Sequence, residues 1–159
     1  MFKIIGAASV IIAAMLYGIK KYNAFFERKW ILESIRDGSI RVENVIRCMC
    51  APLDEGFMHG GEFFISAAEK IRQGMLPSEA VRDAAAELHI LKSEDLRITE
   101  GFAEGLCARD REGQLSNLRL FITALDSNIK NAASELETRG KLCVKGSILV
   151  AAAIVMLLI

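Results

Sequence analysis

The residues best equipped for chemistry in this 159-residue chain are few: Cys48, Cys50, Cys107 and Cys143, His59 and His89, and the carboxylate pairs Asp54-Glu55 and Glu94-Asp95. A structural zinc site takes four nitrogen or sulfur donors, commonly as two ligand pairs with short fixed spacers. Cys48-Met49-Cys50 is one residue too tight for a CxxC pair, and Cys107 stands alone. The spacing therefore argues against a metal site built from Cys48, Cys50, Cys107 and His59, and the thiols read as free buried or interfacial groups. Adjacent carboxylates on a helix point in different directions, so Asp54-Glu55 and Glu94-Asp95 read as solvated surface rather than acid–base pairs. His89, beside Leu88 and Ile90, reads as a packed residue. There is no glycine-rich phosphate loop, HExxH or GxSxG. The expectation is a protein with no catalytic, cofactor or metal site, and not an enzyme. Nucleic acid is not an expected partner either, because the basic residues gather near the apolar ends and are not interleaved with aromatics in a stripe.

The elements around these residues carry more information. Hydrophobic residues make up 52% of the chain while 25% is charged, as in an ordinary soluble domain, so the apolar excess must be concentrated somewhere. It lies at the ends, in the uncharged runs Ile4 to Ile19 and Gly146 to Ile159. As helices these are roughly 24 and 21 Å long, short of a ~30 Å hydrocarbon core, but with their flanks past Lys3 and Lys145 both reach about 18 residues. Lys20-Lys21 directly after the first run marks a retained anchor rather than a cleaved signal. The reading is residues 1–21 as an N-terminal transmembrane anchor, 22–141 as a cytoplasmic domain and 142–159 as a C-terminal transmembrane segment. Lys20, Lys21, Arg28, Lys29, Lys130, Arg139, Lys141 and Lys145 flank the inner ends, which by the positive-inside rule puts the central domain in the cytoplasm.

Between the ends, no strand alternation is present, and glycine and proline cut the sequence into helix-sized pieces. The fold class is all-α: an antiparallel bundle of about six helices flanked by the two membrane helices. Tyr22, Phe25, Phe26 and Trp30 continue the first segment at headgroup level until a break expected at Asp37-Gly38-Ser39. Val42, Val45, Ile46 and Met49 form one helical face closed by Pro52, and Pro52 to Gly56 opens a short turn or helix ended by Gly60-Gly61. Phe64, Ala67, Ala68 and Ile71 mark a helix ended by Gly74. Pro77 starts another bearing Ala80, Val81, Ala84 and Leu88. A helix from about Ser93, its candidate N-cap, to Leu106 presents Leu96, Phe102 and Leu106. Leu115, Leu118, Ile122, Leu125, Ile129, Ala132 and Leu136 then alternate steps of three and four along one long helix. That stripe reads as the centre of an intramolecular bundle in preference to a coiled coil between copies.

Charge is separated along the chain: residues 20–47 carry a net +3, 54–104 a net −6 and 109–145 a net +2. The basic parts, with Lys20, Lys21, Arg28, Lys29, Arg139, Lys141 and Lys145 foremost, are expected to meet anionic lipid headgroups.

Taken in order, several features resemble the stage III sporulation protein AB family, which is related to the F-type platform proteins of type II secretion. They are the anchor ending in Lys20-Lys21, Pro52-Leu53-x-Glu55, the Gly74 to Ala80 stretch GxxPSEA, and Phe102-x-Glu104-x-Leu106 with Asp110 and Gln114. The long amphipathic helix and apolar tail complete the set. Two departures stand out: Cys107 where the family pattern favours glycine, and Lys145-Gly146 inside the start of the terminal run. The resemblance implies a platform component of a secretion-like channel, in the mother-cell membrane facing the forespore. It would dock a cytosolic secretion-type ATPase and other membrane proteins of the channel. A scaffold that organises membrane proteins without touching an ATPase is the alternative. Pro52, Leu53 and Glu55 would form an inter-helix turn and Asp110 would cap the long helix, with Gln114 one turn on. Pro52, Leu53, Asp54, Glu55, Glu104, Asp110 and Gln114 are thereby the expected edge of a partner groove.

Overall fold

The computed structural model describes residues 2–49, 52–106 and 110–158, with side chains for Ser9 and residues 11–156 among them. Its regular structure is all helical: α1 (Phe2–Met49), α2 (Leu53–Met58), α3 (Glu62–Arg72), α4 (Pro77–Glu87), α5 (Ser93–Gly105), α6 (Arg111–Glu135), a π-helical turn (Leu136–Gly140) and α7 (Lys141–Leu158). The chain divides into two compact units, one comprising Met1–Lys29 with Asn131–Ile159, the other Trp30–Lys130.

In the Trp30–Lys130 unit, Leu32, Ile35, Val42 and Ile46 on α1 face Phe57, Phe64, Val81, Phe102, Leu118 and Leu125 in one core. Burying each such side chain contributes about 1.5–3 kcal/mol. Aromatic rings connect four helices. Phe64 meets Phe57 at 5.1 Å and Phe102 at 6.3 Å between centroids, and Phe102 stacks on Phe121 at 4.3 Å. Alanines 67, 68, 80 and 84 let α3 and α4 approach closely.

The local stops follow sequence chemistry. At the end of α3, Gly74 takes φ 97° while Met75 N–H donates to Lys70 C=O and Gly74 N–H to Ile71 C=O, the paired bonds of a Schellman motif. Pro77 then occupies the first turn of α4, where its missing N–H costs nothing. Pro52 lies one position earlier relative to its helix, as the N-cap residue of α2.

Several expectations are corrected, among them His89, which is exposed and not packed. The helix does not break at Asp37-Gly38-Ser39: α1 runs through, and the Ser39 hydroxyl donates to Ile35 C=O at 2.8 Å within the helix, so it is not offered to a competing turn. Gly38 is small for a tertiary reason, since a Cβ there would stand 1.9 Å from the Gly60 carbonyl oxygen. Ser93 is not the N-cap of α5; Lys92 is, and its backbone N–H donates to Asp95 Oδ2 at 2.9 Å. Asp95 itself is not solvated surface but buried. Its Oδ1 accepts Asn128 Nδ2 at 2.8 Å and its carbonyl accepts the Thr99 hydroxyl at 3.0 Å. Along α6 the buried line is Leu118, Phe121, Leu125, Asn128 and Ala132, so alternate members of the expected stripe point inward and Leu115, Ile122 and Ile129 are only half-buried.

In the other unit the start of α1 lies antiparallel to the π-turn and α7. Gly18 lies against α7, where a Cβ would come 2.4 Å from Ser147 Oγ and 3.3 Å from Val144 Cα, and Gly140 lies against the Tyr22 ring. Most large side chains here face outward, among them Ile11, Ile12, Leu16, Leu149, Val150 and Met156. Among the described residues no helix is long and apolar enough to cross a membrane. The two apolar runs of the sequence continue past the described side chains at both chain ends.

Candidate interaction surfaces

The sequence-predicted partner residues occupy two turns. Pro52 is exposed and its carbonyl accepts Gly56 N–H at 3.0 Å; Leu53 and Asp54 are half-buried and Glu55 is exposed. Asp110, before α6, accepts Gly113 N–H on its Oδ2 at 3.0 Å, which satisfies one of the free amides of the helix start, and Gln114 N–H on its carbonyl at 3.2 Å, the first bond of the helix itself. Gln114 is half-buried in the same turn. The next residue, Arg111, donates from its guanidinium to the Arg47 carbonyl, so the start of α6 is fastened to the end of α1. Glu104 is drawn elsewhere: its carboxylate faces the Arg82 guanidinium on α4 at 3.7 Å.

Beside this fastening is a groove of about 510 Å³ with three arginines, Arg47, Arg111 and Arg119, and one carboxylate, Glu112, in its wall. Arg119 Nε holds Glu43 Oε1 at 2.8 Å, and Arg47 donates to Asn44. The sequence reading passed over this cationic groove because Arg47 and Arg111, 64 positions apart, share no motif.

A second groove, about 460 Å³, lies along the middle of α1 and the end of the bundle part of α6, with Trp30, Glu33, Asp37 and Asp126 in its wall. Arg36 crosses it, Nε on Asp126 Oδ1 and Nη1 on Asp37 Oδ1, both at 2.9 Å. The hydrogen bond to Asp37, then the charge of Asp126, holds its pKa above the ordinary arginine value. Trp30 is 58% exposed at the rim. Arg41 donates to the carbonyls of His59 and Gly60, fixing the loop between α2 and α3.

On the acidic stretch, Lys70 bridges Asp83 at 2.7 Å and Glu87 at 2.8 Å. Burial works against its charge, but hydrogen bonds to Asp83 and Glu87 outweigh that and raise its pKa. Glu87 is shifted down by the bond from Lys70 and then by the Ser66 hydroxyl. Glu62 and Glu69 on α3, Glu79 on α4, and Glu94 and Glu100 on α5 are exposed.

Of the basic residues expected at lipid headgroups, Lys20, Lys21, Arg139, Lys141 and Lys145 are exposed and Lys29 is half-buried. Arg139 and Lys141 lie one turn from Glu135 and Glu137, at 3.7 and 3.9 Å. Arg28 is a correction. It is only 3% exposed, and its Nη1 holds Glu135 Oε2 at 2.7 Å, so its charge is spent inside the unit and not on a headgroup.

Cys48 is exposed and Cys143 half-buried, both free thiols, while Cys50 and Cys107 lie outside the described residues, and with them the hypothetical zinc set. Among the described residues no three His, Cys, Asp or Glu side chains gather as a metal cluster. The arrangement is that of an all-α helical-bundle protein whose notable surfaces are grooves and charged turns.

Comparison with known proteins makes this specific. A family model for stage III sporulation protein AB matches residues 3–159, and the chain belongs to that family. A solved structure described as stage III sporulation protein AB (SpoIIIAB) has a similar fold. It is 18% identical, with a TM-score of 0.60 over 69% of this chain and 96% of that one. No curated protein matches the chain.

Proposed function

We propose that this protein is a non-enzymatic, membrane-anchored platform component of the secretion-like channel between mother cell and forespore. The family match over residues 3–159 is the single observation that carries this reading. In it, the two chain ends form antiparallel transmembrane helices in the mother-cell membrane, and the Trp30–Lys130 bundle stands in the cytoplasm. The outward apolar side chains of the end unit support that assignment, because such a surface is unfavourable in water and neutral in lipid. Exposed Lys20, Lys21 and Lys145 then lie where anionic headgroups would be.

The bundle docks the cytosolic secretion-type ATPase of the same apparatus, with Pro52 to Glu55 and the Asp110 turn as contact edge. The cationic groove of Arg47, Arg111 and Arg119 beside that turn extends it. The alternative, a scaffold held together by coiled-coil contacts, is disfavoured by the burial of Leu118 and Leu125 in the chain's own core. Affinity capture of the tagged full-length protein from mildly solubilised membranes of sporulating cells tests the reading. Recovery of the ATPase, lost on charge reversal at Asp54 and Glu55 with the fold intact, is the expected result. Recovery of membrane proteins alone, by a folded bundle, selects the scaffold.

A further inference from the structure

Among the described residues, the two helices of the end unit approach closely at Gly18 and Gly140. Beside these contacts they stand apart around a groove of about 460 Å³ whose wall includes Ala14, Tyr17 and Lys21 from α1 and Cys143, Gly146 and Val150 from α7. From Lys21 to Ala14 it extends about 10 Å along the helix axis.

Gly146 sets the depth of this groove. Glycine is a poor choice inside a helix, because it gives up more backbone freedom than alanine. At Gly18 and Gly140 the neighbouring helix explains it, but a Cβ at Gly146 would meet nothing within 4 Å, and its backbone is not in the left-handed region. No neighbour among the described residues needs the missing side chain, whereas something lying in the groove would. The groove is also polarised. Its walls are mainly apolar, with the Ser147 hydroxyl donated to Val144 C=O, and one end carries Lys21; Lys20 and Lys145, outside the wall, are exposed. Neither helix carries a carboxylate across residues 2–26 or 138–159 to neutralise these cations.

An apolar groove with an unneutralised ammonium at its end is complementary to a phospholipid. A partner helix, about 10 Å across, would take up roughly 800 Å³ over the same length, more than the groove holds. We propose that this groove binds one anionic phospholipid, with an acyl chain along Ala14, Gly146 and Val150 and its phosphate on the Lys21 ammonium. The proposal rests on the membrane reading above and gives it a specific lipid.

Native mass spectrometry of the full-length protein in detergent, with phosphatidylglycerol or phosphatidylcholine added, tests it. One phosphatidylglycerol should be retained, preferred by a factor of about five, as expected for one lysine near a headgroup phosphate. Gly146→Leu should remove retention of both lipids, and Lys21→Gln should remove the preference alone. Circular dichroism monitors folding of Gly146→Leu; Ala14→Leu fills the same groove from the other helix if that variant fails. Equal retention of the two lipids, or retention unchanged in a folded groove-filling variant, overturns the site. So does retention unchanged alongside loss of a co-purifying membrane protein, which assigns the groove to that protein. Alkaline extraction from vesicles of the same lipids keeps the two readings apart. A wild-type chain stripped from the vesicles removes the membrane reading and the site together, whereas a chain that resists extraction and fails the lipid test removes only the site.

Discussion

The two units use the same residue types in opposite ways. In Trp30–Lys130 the large side chains turn inward, and the aromatic relay Phe57, Phe64, Phe102 and Phe121 forms the centre. In the end unit the large side chains turn outward, and the contact line is made of Gly18, Gly140 and Ala151. Water rewards the first arrangement and not the second, for which close van der Waals packing between helices is the natural source of stability. A carboxylate is drawn inward in each unit as well. In the bundle Asp95 accepts from Asn128; in the end unit Glu135 accepts from Arg28.

This contrast can be broken most strongly at Phe64. Phe64→Ala should cost about 3–5 kcal/mol, seen as lost hydrogen-exchange protection across Trp30–Lys130 while protection of 11–28 and 141–156 is retained. Next is Arg28→Ala, which takes from Glu135 its buried partner and leaves it the exposed Arg139 at 3.7 Å. For a buried pair the loss is about 3–5 kcal/mol, and the partial exposure of Glu135, 25%, brings it to the lower end. Here the protection pattern should reverse, with the end unit loosened and the bundle intact. Asp95→Ala should cost about 2 kcal/mol, because the Lys92 amide and Asn128 lose their acceptor. A double-mutant cycle with Asn128→Ala should return a coupling of about 1 kcal/mol.

The smallest effect concerns pH. Glu87 is shifted down, so its contribution is complete above the ordinary carboxylate range and is lost as pH falls through its depressed pKa. Lys70 is shifted up, so its contribution is complete below the ordinary lysine value and is lost as pH rises through its raised pKa. The melting-temperature gap between wild type and Lys70→Met should therefore be widest between those limits and narrow at both extremes.

Much of the fold was legible because its signals are local. Gly74 and Pro77 announce a stop and a start within four residues, and the inward faces of α3 and α4 repeat at helical spacing. The errors fall where the deciding partner is distant. Gly38-Ser39 resembles a break until Gly60 is seen against Gly38. Asp95 resembles surface until Asn128, 33 residues away, is found bonded to it. Arg28 resembles a headgroup ligand until Glu135, 107 residues away, accepts it. Of the candidate contact edge, the Asp110 turn was readable as a cap, whereas the pairing of Glu104 with Arg82 was not.

The π-helical turn at Leu136–Gly140 also solves a problem of phase. Ala132 and Ala151 are both buried, yet they are 19 residues apart. Five whole α-helical turns take about 18 residues, so an uninterrupted helix would rotate Ala151 roughly 100° away from the side that Ala132 faces. The wider π-turn absorbs the surplus residue. The chain thus carries a spare position at 136–140: removing one residue there would restore a plain helix with both alanines still inward, while the same deletion further along α7 would swing every later side chain by a quarter turn or more.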